Sequence, residues 1–294
     1  MTDPVGILVV DKPVGITSHG VVARARRALG TRKIGHAGTL DPDATGVLVL
    51  GVGPATRLLG YLSASDKEYL STLVLGQSTV TDDAAGETVA WTDARSIRRD
   101  AVVEAMGSLT GDILQRPSSV SAIKVAGKRA YDLVRSGEDV ELAERPVTVH
   151  AFELLDMREE ARDGHVVAVL DVRVDCSAGT YVRALARDLG AALGVGGHVT
   201  TLRRIRSGEF ALTDAVPLDD VDADTALLSP ADAIRRTLPT VTLDDDAAAL
   251  ARHGVQIPWP EAAPDGVVAF LSDAGLVGLG QEHRGRVQWT TVFA

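Results

Sequence analysis

The most constraining feature of the sequence is a glycine-rich segment, residues 35–48, that leads into an uninterrupted apolar run. Its glycines permit backbone angles that other residues avoid, and Pro42 fixes the chain directly after Asp41. The apolar run, residues 47–50, is typical of a buried strand. The segment therefore predicts a stiff loop beside a sheet, which can hold the carboxylate of Asp41 in one position.

Short apolar runs that are typical of strands are interspersed with amphipathic, helix-like stretches. Residues 6–10 and 166–175 predict strands, whereas residues 18–29 and 181–193 predict helices. The glycine-rich stretch at 31–45 predicts a loop. Because the elements lack a regular β-α-β-α rhythm, the sequence favours an α+β fold over a doubly wound sheet.

The cysteine content and the length of the apolar runs exclude several classes of protein. The single cysteine, Cys176, excludes an internal disulfide framework and a cysteine-based structural zinc site, and it fits a reducing compartment. No apolar run approaches the roughly 20 residues that span a bilayer. The N-terminal residues do not resemble a signal peptide. We therefore expect a cytoplasmic protein with no membrane partner.

The distribution of charge differs from what the net charge of −10 implies. A negative chain disfavours a nucleic-acid partner, yet its positive residues are clustered. Each cluster taken alone is equally well explained as a solvated face, whereas a nucleic-acid partner would explain all of them through phosphate contacts. The clusters consist of Arg24, Arg26, Arg27, Arg32 and Lys33; of Lys124, Lys128 and Arg129; and of Arg203, Arg204 and Arg206.

An alternative interpretation of the glycine-rich segment is a phosphatase. Residues 41–46 fit the D-x-D-x-T-G pattern of enzymes that form an aspartyl-phosphate. That chemistry places the nucleophile at the end of a hydrophobic strand. Here the hydrophobic run follows Asp41 instead of preceding it, so the order of the elements is wrong for a phosphatase.

Residues 38–46, Gly-Thr-Leu-Asp-Pro-Asp-Ala-Thr-Gly, resemble the G-x-L-D-x-x-A-x-G signature of the TruB family, the bacterial tRNA pseudouridine-55 synthases. Several further blocks resemble the family in its own order, and together they cover roughly residues 6–211. These blocks lie within residues 11–18, 67–77, 115–147, 176–183 and 197–204.

The resemblance implies the pseudouridine synthase fold. Residues 1–238 would form a catalytic α+β domain with a mixed, largely antiparallel central sheet and flanking helices. Residues 239–294 would form a small β-rich, PUA-like domain, and an acidic composition break at about 218–246 precedes it. Residues at about 115–146 correspond to the insertion that the family uses as a thumb over the RNA.

The reaction that the resemblance implies is the isomerisation of uridine 55 in the T-loop of tRNA. The C1′–N1 bond breaks, the base turns, and C5 bonds to C1′. No atom is gained and no electron leaves, so we expect no cofactor and no metal. The expected partner is the tRNA T-arm, and no obligate protein partner is evident. The covalent intermediate stays open, as does a second hypothesis: an RNA-binding or tRNA-folding protein whose modification activity is secondary.

The resemblance also assigns roles to individual residues. Asp41 is the catalytic carboxylate, Tyr69 stacks on the extruded uracil and handles the proton at C5, and Arg183 pairs with Asp41 to keep it charged. His36 packs into the RNA loop at the point where nucleotides are displaced. The other predicted substrate-binding residues are Tyr181, Leu202, Lys12, Asp83, Lys124, Lys128 and Arg129.

Overall fold

A computed structural model describes residues 3–118 and 142–293, together with the backbone of residues 124–125 and 128–129. The contacts group the chain into two compact units. The first consists of Met1–Pro42, Gly46–Ala64 and Ser207–Ala294, and the second of Asp43–Thr45 and Ser65–Arg206. Within the described ranges, no helix combines the length and the apolar character needed to cross a membrane. The division into domains at residue 238 stays a prediction.

The described elements are given in chain order. The helices are α1 (Ser18–Ala28), α2 (Leu59–Ser63), α3 (Arg99–Ser108), α4 (Val182–Ala192), α5 (Pro230–Thr237) and α6 (Asp245–Arg252), with 3-10 helices at Gly53–Leu58, Leu212–Asp214 and Leu218–Asp220. The strands are β1 (Gly6–Lys12), β2 (Ile34–Ala37), β3 (Thr45–Val52), β4 (Lys67–Leu75), β5 (Gln77–Thr79), β6 (Thr88–Trp91), β7 (Gly111–Gln115), β8 (Lys124–Val125), β9 (Lys128–Arg129), β10 (Arg145–Arg162), β11 (His165–Cys176), β12 (Gly197–Ser207), β13 (Phe210–Ala211), β14 (Val216–Pro217), β15 (Thr240–Thr242), β16 (Val268–Ser272), β17 (Gly275–His283) and β18 (Arg286–Val292).

In the first unit, β1 lies between β14 and β3. It runs parallel to β14 and antiparallel to β3, and β2 is also antiparallel to β3. Successive side chains of a strand point to opposite faces of its sheet. Ile7 and Val9 accordingly belong to one hydrophobic cluster, whereas Leu8 and Val10 belong to another. Both faces of this sheet are covered, which explains the apolar run without alternation.

Helix α1 covers one of these faces. Its N-terminus is capped by Thr17, whose Oγ1 accepts a hydrogen bond from the backbone N–H of Gly20 at 2.9 Å. Val21 and Ala25 are buried in the same cluster as Leu8. The helix stops before Gly30, whose φ of +64° suits glycine. The predicted helix is confirmed.

The strands near the C-terminus form a separate sheet in the order β15–β16–β17–β18. Ala269 and Leu271 from one of its faces enter the same hydrophobic cluster as Ile7. Phe270 points the other way and packs in a second cluster with Ala248 of α6. The predicted β-rich character of this region is confirmed, and its sheet shares a core with β1 and β3.

In the second unit, the sheet has the order β12–β4–β11–β10–β7. The pairs β4–β11, β11–β10 and β10–β7 are antiparallel, and β10 and β11 form a long hairpin. The strand predicted over 166–175 lies within β11, and the helix predicted over 181–193 is α4. Both are confirmed, and together with the mixed arrangement of strands they establish an α+β fold.

The prediction of an unbroken loop over 31–45 is wrong for Ile34–Ala37, which forms β2. Ile34 and Ala37 are buried, and the backbone of β2 pairs with β3, with Ile34 opposite Val52. Edge pairing satisfies the backbone hydrogen bonds of this segment, and that outweighs its weak strand propensity. His36 therefore lies on a strand.

Most of the predicted thumb, at about 115–146, lies outside the described residues. The backbone of β8 pairs antiparallel with β9, which places Lys124 opposite Arg129 and Val125 opposite Lys128. The side chains of Lys124, Lys128 and Arg129 lie outside the described part of the chain, so their predicted contacts with RNA stay predictions.

Candidate functional site

The loop that carries Asp41 connects β2 to β3. Asp41 is half-buried, whereas Pro42 and Asp43 are exposed. The backbone takes the left-handed conformation at Gly38, with φ +85°, and at Gly46, with φ +101°. Residues that have a Cβ atom are strained in the left-handed conformation, which explains the glycine on each side of the carboxylate.

The backbone on both sides of Asp41 is fixed by a turn that follows β1. The carbonyl oxygen of Pro42 accepts hydrogen bonds from the backbone N–H of Gly15 at 2.9 Å and from Lys12 Nζ at 3.0 Å. On the other side of Asp41, Ser18 Oγ donates to the carbonyl oxygen of Leu40 at 3.0 Å and accepts from its N–H at 2.9 Å. Asp41 thus projects from a backbone whose neighbouring peptide groups are already bound.

Lys12 was predicted to contact substrate, and the structure shows its contacts with the protein. The residue is completely buried, and its Nζ also donates to the carbonyl oxygen of Pro13 at 2.9 Å. A buried ammonium group is costly unless it is bound by acceptors such as these. The observed contacts of Lys12 therefore support the shape of the Asp41 loop.

His36 lies on β2, opposite Leu50 of β3, and is half-buried. Its ring meets the ring of His19 edge to face, with 5.2 Å between the ring centroids and an interplanar angle of 84°. His19 is exposed in the first turn of α1. His19 was not among the predicted site residues, and the only signal for it in the sequence was its place two residues after the capping Thr17.

Tyr69 lies on β4 of the second unit, opposite Val174 of β11, and is buried. Lys67 is two residues earlier on the same face of the strand. Burial, and secondly the charge of Arg204, lower the pKa of Lys67 to about 8. Glu68 faces the opposite side, where it forms ion pairs with Arg173 and Arg206 that hold the pKa of its carboxyl below the usual value.

Arg183 and Asp83, both predicted site residues, are in contact. Arg183 donates to Asp83 Oδ2 at 3.0 Å and to the carbonyl oxygen of Thr81 at 3.1 Å, and its side chain is only 6% exposed. One turn later on α4, Arg187 donates to Asp82 Oδ2 at 3.1 Å. Two adjacent aspartates thus bind two arginines spaced four residues apart, which is one helix turn. Neither Arg187 nor Asp82 was among the predicted site residues.

Tyr181, the residue before α4, is held through its backbone. Gln115 is completely buried; its Oε1 accepts from the N–H of Tyr181 at 2.8 Å, and its Nε2 donates to the carbonyl oxygen of Tyr181 at 3.1 Å. The guanidinium of Arg145 lies 4.9 Å from the centroid of the tyrosine ring. Leu202 is half-buried on β12. These contacts fix the position of the ring.

The third basic cluster, Arg203, Arg204 and Arg206, contains residues that are buried or already paired within the protein. Arg204 is only 1% exposed, so the prediction that it contacts phosphate is wrong. Arg206 is bound by the carboxylates of Glu68 at 3.1 Å and Asp175 at 2.9 Å. A strand in a sheet buries alternate side chains, and charged ones then take partners inside the protein.

Residues 3–118 and 142–293 contain no group of three or more His, Cys, Asp or Glu suited to a metal.

Family models, curated relatives and solved structures all match this chain. The model of the TruB family pseudouridylate synthase N-terminal domain matches residues 26–182, and that of the tRNA pseudouridylate synthase B C-terminal domain matches residues 183–242. The tRNA pseudouridine synthase B of Streptomyces griseus is 49% identical over 294 residues, covering 100% of this chain and 98% of the relative. That of Mycolicibacterium paratuberculosis is 53% identical over 281 residues, covering 92% and 94%.

Two solved structures share the fold. A chain in the structure of an H/ACA RNP bound to a substrate RNA containing 2′-deoxyuridine superposes with a TM-score of 0.73 at 27% identity, covering 98% of this chain and 85% of that one. A chain in the crystal structure of a Cbf5-Nop10-Gar1 complex gives a TM-score of 0.72 at 28% identity, covering 99% and 85%.

Proposed function

The chain belongs to the TruB family of pseudouridylate synthases, enzymes that isomerise uridine in tRNA to pseudouridine, and we propose that its target is uridine 55 of the T-loop, with Asp41 as the catalytic carboxylate. The observation that carries this proposal is the Asp41 loop. The family's signature coincides with a half-buried carboxylate whose flanking peptide groups are fixed by Gly15, Lys12 and Ser18. A group held in this way needs no reorganisation when the substrate arrives.

The proposed reaction uses this carboxylate in its ionised form. Asp41 attacks the ring or the sugar, or assists departure of the base, while the C1′–N1 bond breaks. The uracil then turns, C5 bonds to C1′, and the hydrogen at C5 leaves as a proton. By resemblance, Tyr69 stacks on the base and handles that proton, and the cationic Arg183 favours the charged form of Asp41. Asp83 holds Arg183 in place.

The target base must leave the RNA stack to reach a carboxylate on the protein. We assign His36 to the place that the displaced nucleotides vacate, and Tyr181 and Leu202 to contacts around the base. The fixed backbone of Tyr181 supports this role, because a positioned ring loses little entropy when it binds. Lys124, Lys128 and Arg129 are assigned to phosphate contacts through the thumb.

The target position is tested with tRNA transcripts that carry tritium at C5 of uridine. Isomerisation at one site releases one equivalent of tritium into water, because the C5–H bond is replaced by C5–C1′. We expect release from the normal transcript and none from a transcript with cytidine at position 55. Equal release from both transcripts would show that the target is a different uridine, and release from neither would reject the activity.

Ser18 provides a further prediction. Ser18→Ala removes the hydroxyl that binds both the N–H and the carbonyl of Leu40, and both residues are buried. We expect a loss of about 1–3 kcal/mol in the free energy of unfolding. Because the backbone beside Asp41 loosens, kcat should fall by about 10-fold to 100-fold with little change in KM.

Ser207→Ala is the matched control for Ser18→Ala. Ser207 is equally buried, but its Oγ has no hydrogen-bond partner among the described residues. Its removal should leave both kcat and urea unfolding close to wild type. An unchanged kcat in Ser18→Ala would show that the serine does not position the loop.

A further inference from the structure

One exposed side of helix α1 begins beside the candidate site. The exposed residues of this side are His19, Ala23, Arg26 and Arg27. The last three lie four, seven and eight residues after His19. Residues at these spacings lie on the same side of a helix. The opposite side, with Val21 and Ala25 among its residues, is buried in the core. This exposed side of α1 is therefore a continuous surface.

The first end of this surface is in contact with a proposed substrate residue. His19 meets His36 edge to face at 5.2 Å between the ring centroids. A flat ring at His36 is proposed to occupy the distorted RNA loop. An RNA strand that leaves this loop past His36 therefore meets His19 and the start of α1 next.

The far end of the surface carries positive charge that the protein leaves uncompensated. Arg27, Arg32 and Lys33 are exposed, and none of them forms an ion pair with any described residue. Two neighbouring arginines in the sequence, in contrast, have partners within the protein. Arg24 is bound by Asp219 at 2.5 Å, and Arg26 donates to the carbonyl oxygen of Ile34 at 2.8 Å. Only part of the cluster seen in the sequence is available to an external anion.

These three cations contrast with two exposed arginines elsewhere in the chain that do have carboxylate partners. Arg98 is bound by Asp100 at 2.6 Å and Arg235 by Asp232 at 3.0 Å, although all four side chains are more than half exposed. Arg27, Arg32 and Lys33 have no such carboxylate partner among the described residues. Such charge is favourable when the ligand supplies the negative partner, as an RNA backbone does.

The length of the surface fits an RNA strand. The eight steps along the helix from His19 to Arg27 give a rise of about 12 Å at 1.5 Å per residue. A helical nucleic-acid strand places one phosphate about every 3.4 Å along its axis, so this length corresponds to about three or four nucleotides. Arg32 and Lys33 follow the end of the helix, and Arg26 on the exposed side donates to the carbonyl oxygen of Ile34, the next residue along.

We propose that the surface formed by His19, Ala23, Arg27, Arg32 and Lys33 binds the phosphate backbone of the tRNA strand that continues from the target loop. The proposal rests on the proposed function and names the substrate contact of a further surface. Phosphate contacts carry no base information, so the surface supplies affinity and register. It takes no part in the chemical step.

The test is the triple substitution Arg27→Gln, Arg32→Gln and Lys33→Gln, with tRNA affinity measured as a function of salt. Each lost phosphate contact lowers the slope of log K against log salt by about 0.7 for a single strand. We expect the slope to become shallower by about two, and Kd to rise on the order of 100-fold at 0.1 M salt. kcat at saturating tRNA, followed by tritium release, should stay within about twofold of wild type.

The matched control is Arg95→Gln, Arg98→Gln and Arg235→Gln, which changes the net charge by the same amount at arginines that already have carboxylate partners. It should leave the salt slope unchanged. An unaltered slope in the α1 variant, or the same change in the control, would overturn the proposal. So would a loss of kcat at saturation. If the α1 variant binds tRNA normally and still releases tritium, the surface is not used while the proposed function stands.

Discussion

Asp41→Asn should reduce tritium release from tRNA on the order of 10⁴-fold or more while leaving the Kd for tRNA nearly unchanged. An amide has the size of the carboxylate but cannot act as a nucleophile or carry its charge. Removing the reacting group of other enzymes causes losses of this order. The measurement is a single-turnover assay with tRNA labelled at uridine C5, together with filter binding of the same transcript.

Binding should survive because hydrogen bonds to the backbone hold the loop on either side of Asp41. The peptide groups on either side of Asp41 are held by Gly15, Lys12 and Ser18. The substitution therefore separates chemistry from the positioning of the substrate. It also tests the second hypothesis, because an independent tRNA-folding activity would be fully retained by this variant.

Asp43→Asn is the matched control. It makes the same change of charge two residues away, on an exposed side chain of the same loop. We expect its activity to remain within a few-fold of wild type, since rim charges affect mainly the rate of encounter. Loss of activity in both variants would indicate that the charge of the loop matters and not one carboxylate. Retention in both would remove Asp41 from the mechanism.

The parts of the fold that could be predicted from the sequence are those set by local pattern. Helix α1 has an apolar face and a capping threonine, and β11 alternates buried and half-buried residues from Leu170 to Cys176, so the structure of each can be predicted from about a dozen residues. The stiffness of the Asp41 loop was predictable for the same reason. Its two flanking glycines, Gly38 and Gly46, have the left-handed backbone that only glycine adopts without strain.

The parts that could not be predicted depend on partners far away in the sequence. In the sequence, Lys12 cannot be distinguished from a surface lysine. In the fold, its ammonium group binds the carbonyl of Pro42, 30 residues later. Arg204 belongs to a basic cluster in the sequence, yet the sheet buries it. The pairing of Arg187 with Asp82 spans 105 residues. Spacing and composition contain no information about such contacts, because tertiary packing decides them.

Arg183→Met is expected to cause the second large effect, a fall in kcat of at least about 100-fold, together with a loss of about 2–3 kcal/mol in the free energy of unfolding. The kinetic effect follows from the role proposed for this guanidinium, which is to favour the charged form of Asp41. The structural effect has a different origin. Asp83, whose side chain is 24% exposed, loses the donor that now lies 3.0 Å away. Single-turnover tritium release and urea unfolding measure the two effects separately.

Arg187→Met distinguishes the two origins because it breaks the neighbouring ion pair on the same helix. Arg187 and Asp82 are joined at 3.1 Å, and their side chains are 30% and 12% exposed. Burial already raises the pKa of Asp82, so loss of its arginine should destabilise the protein about as much as loss of Arg183 does. kcat of the folded Arg187 variant should nevertheless stay within about fivefold of wild type. If both variants lose kcat in proportion to their loss of stability, Arg183 has only a structural role. A loss of kcat in Arg183→Met alone places the charge of Arg183 in the reaction.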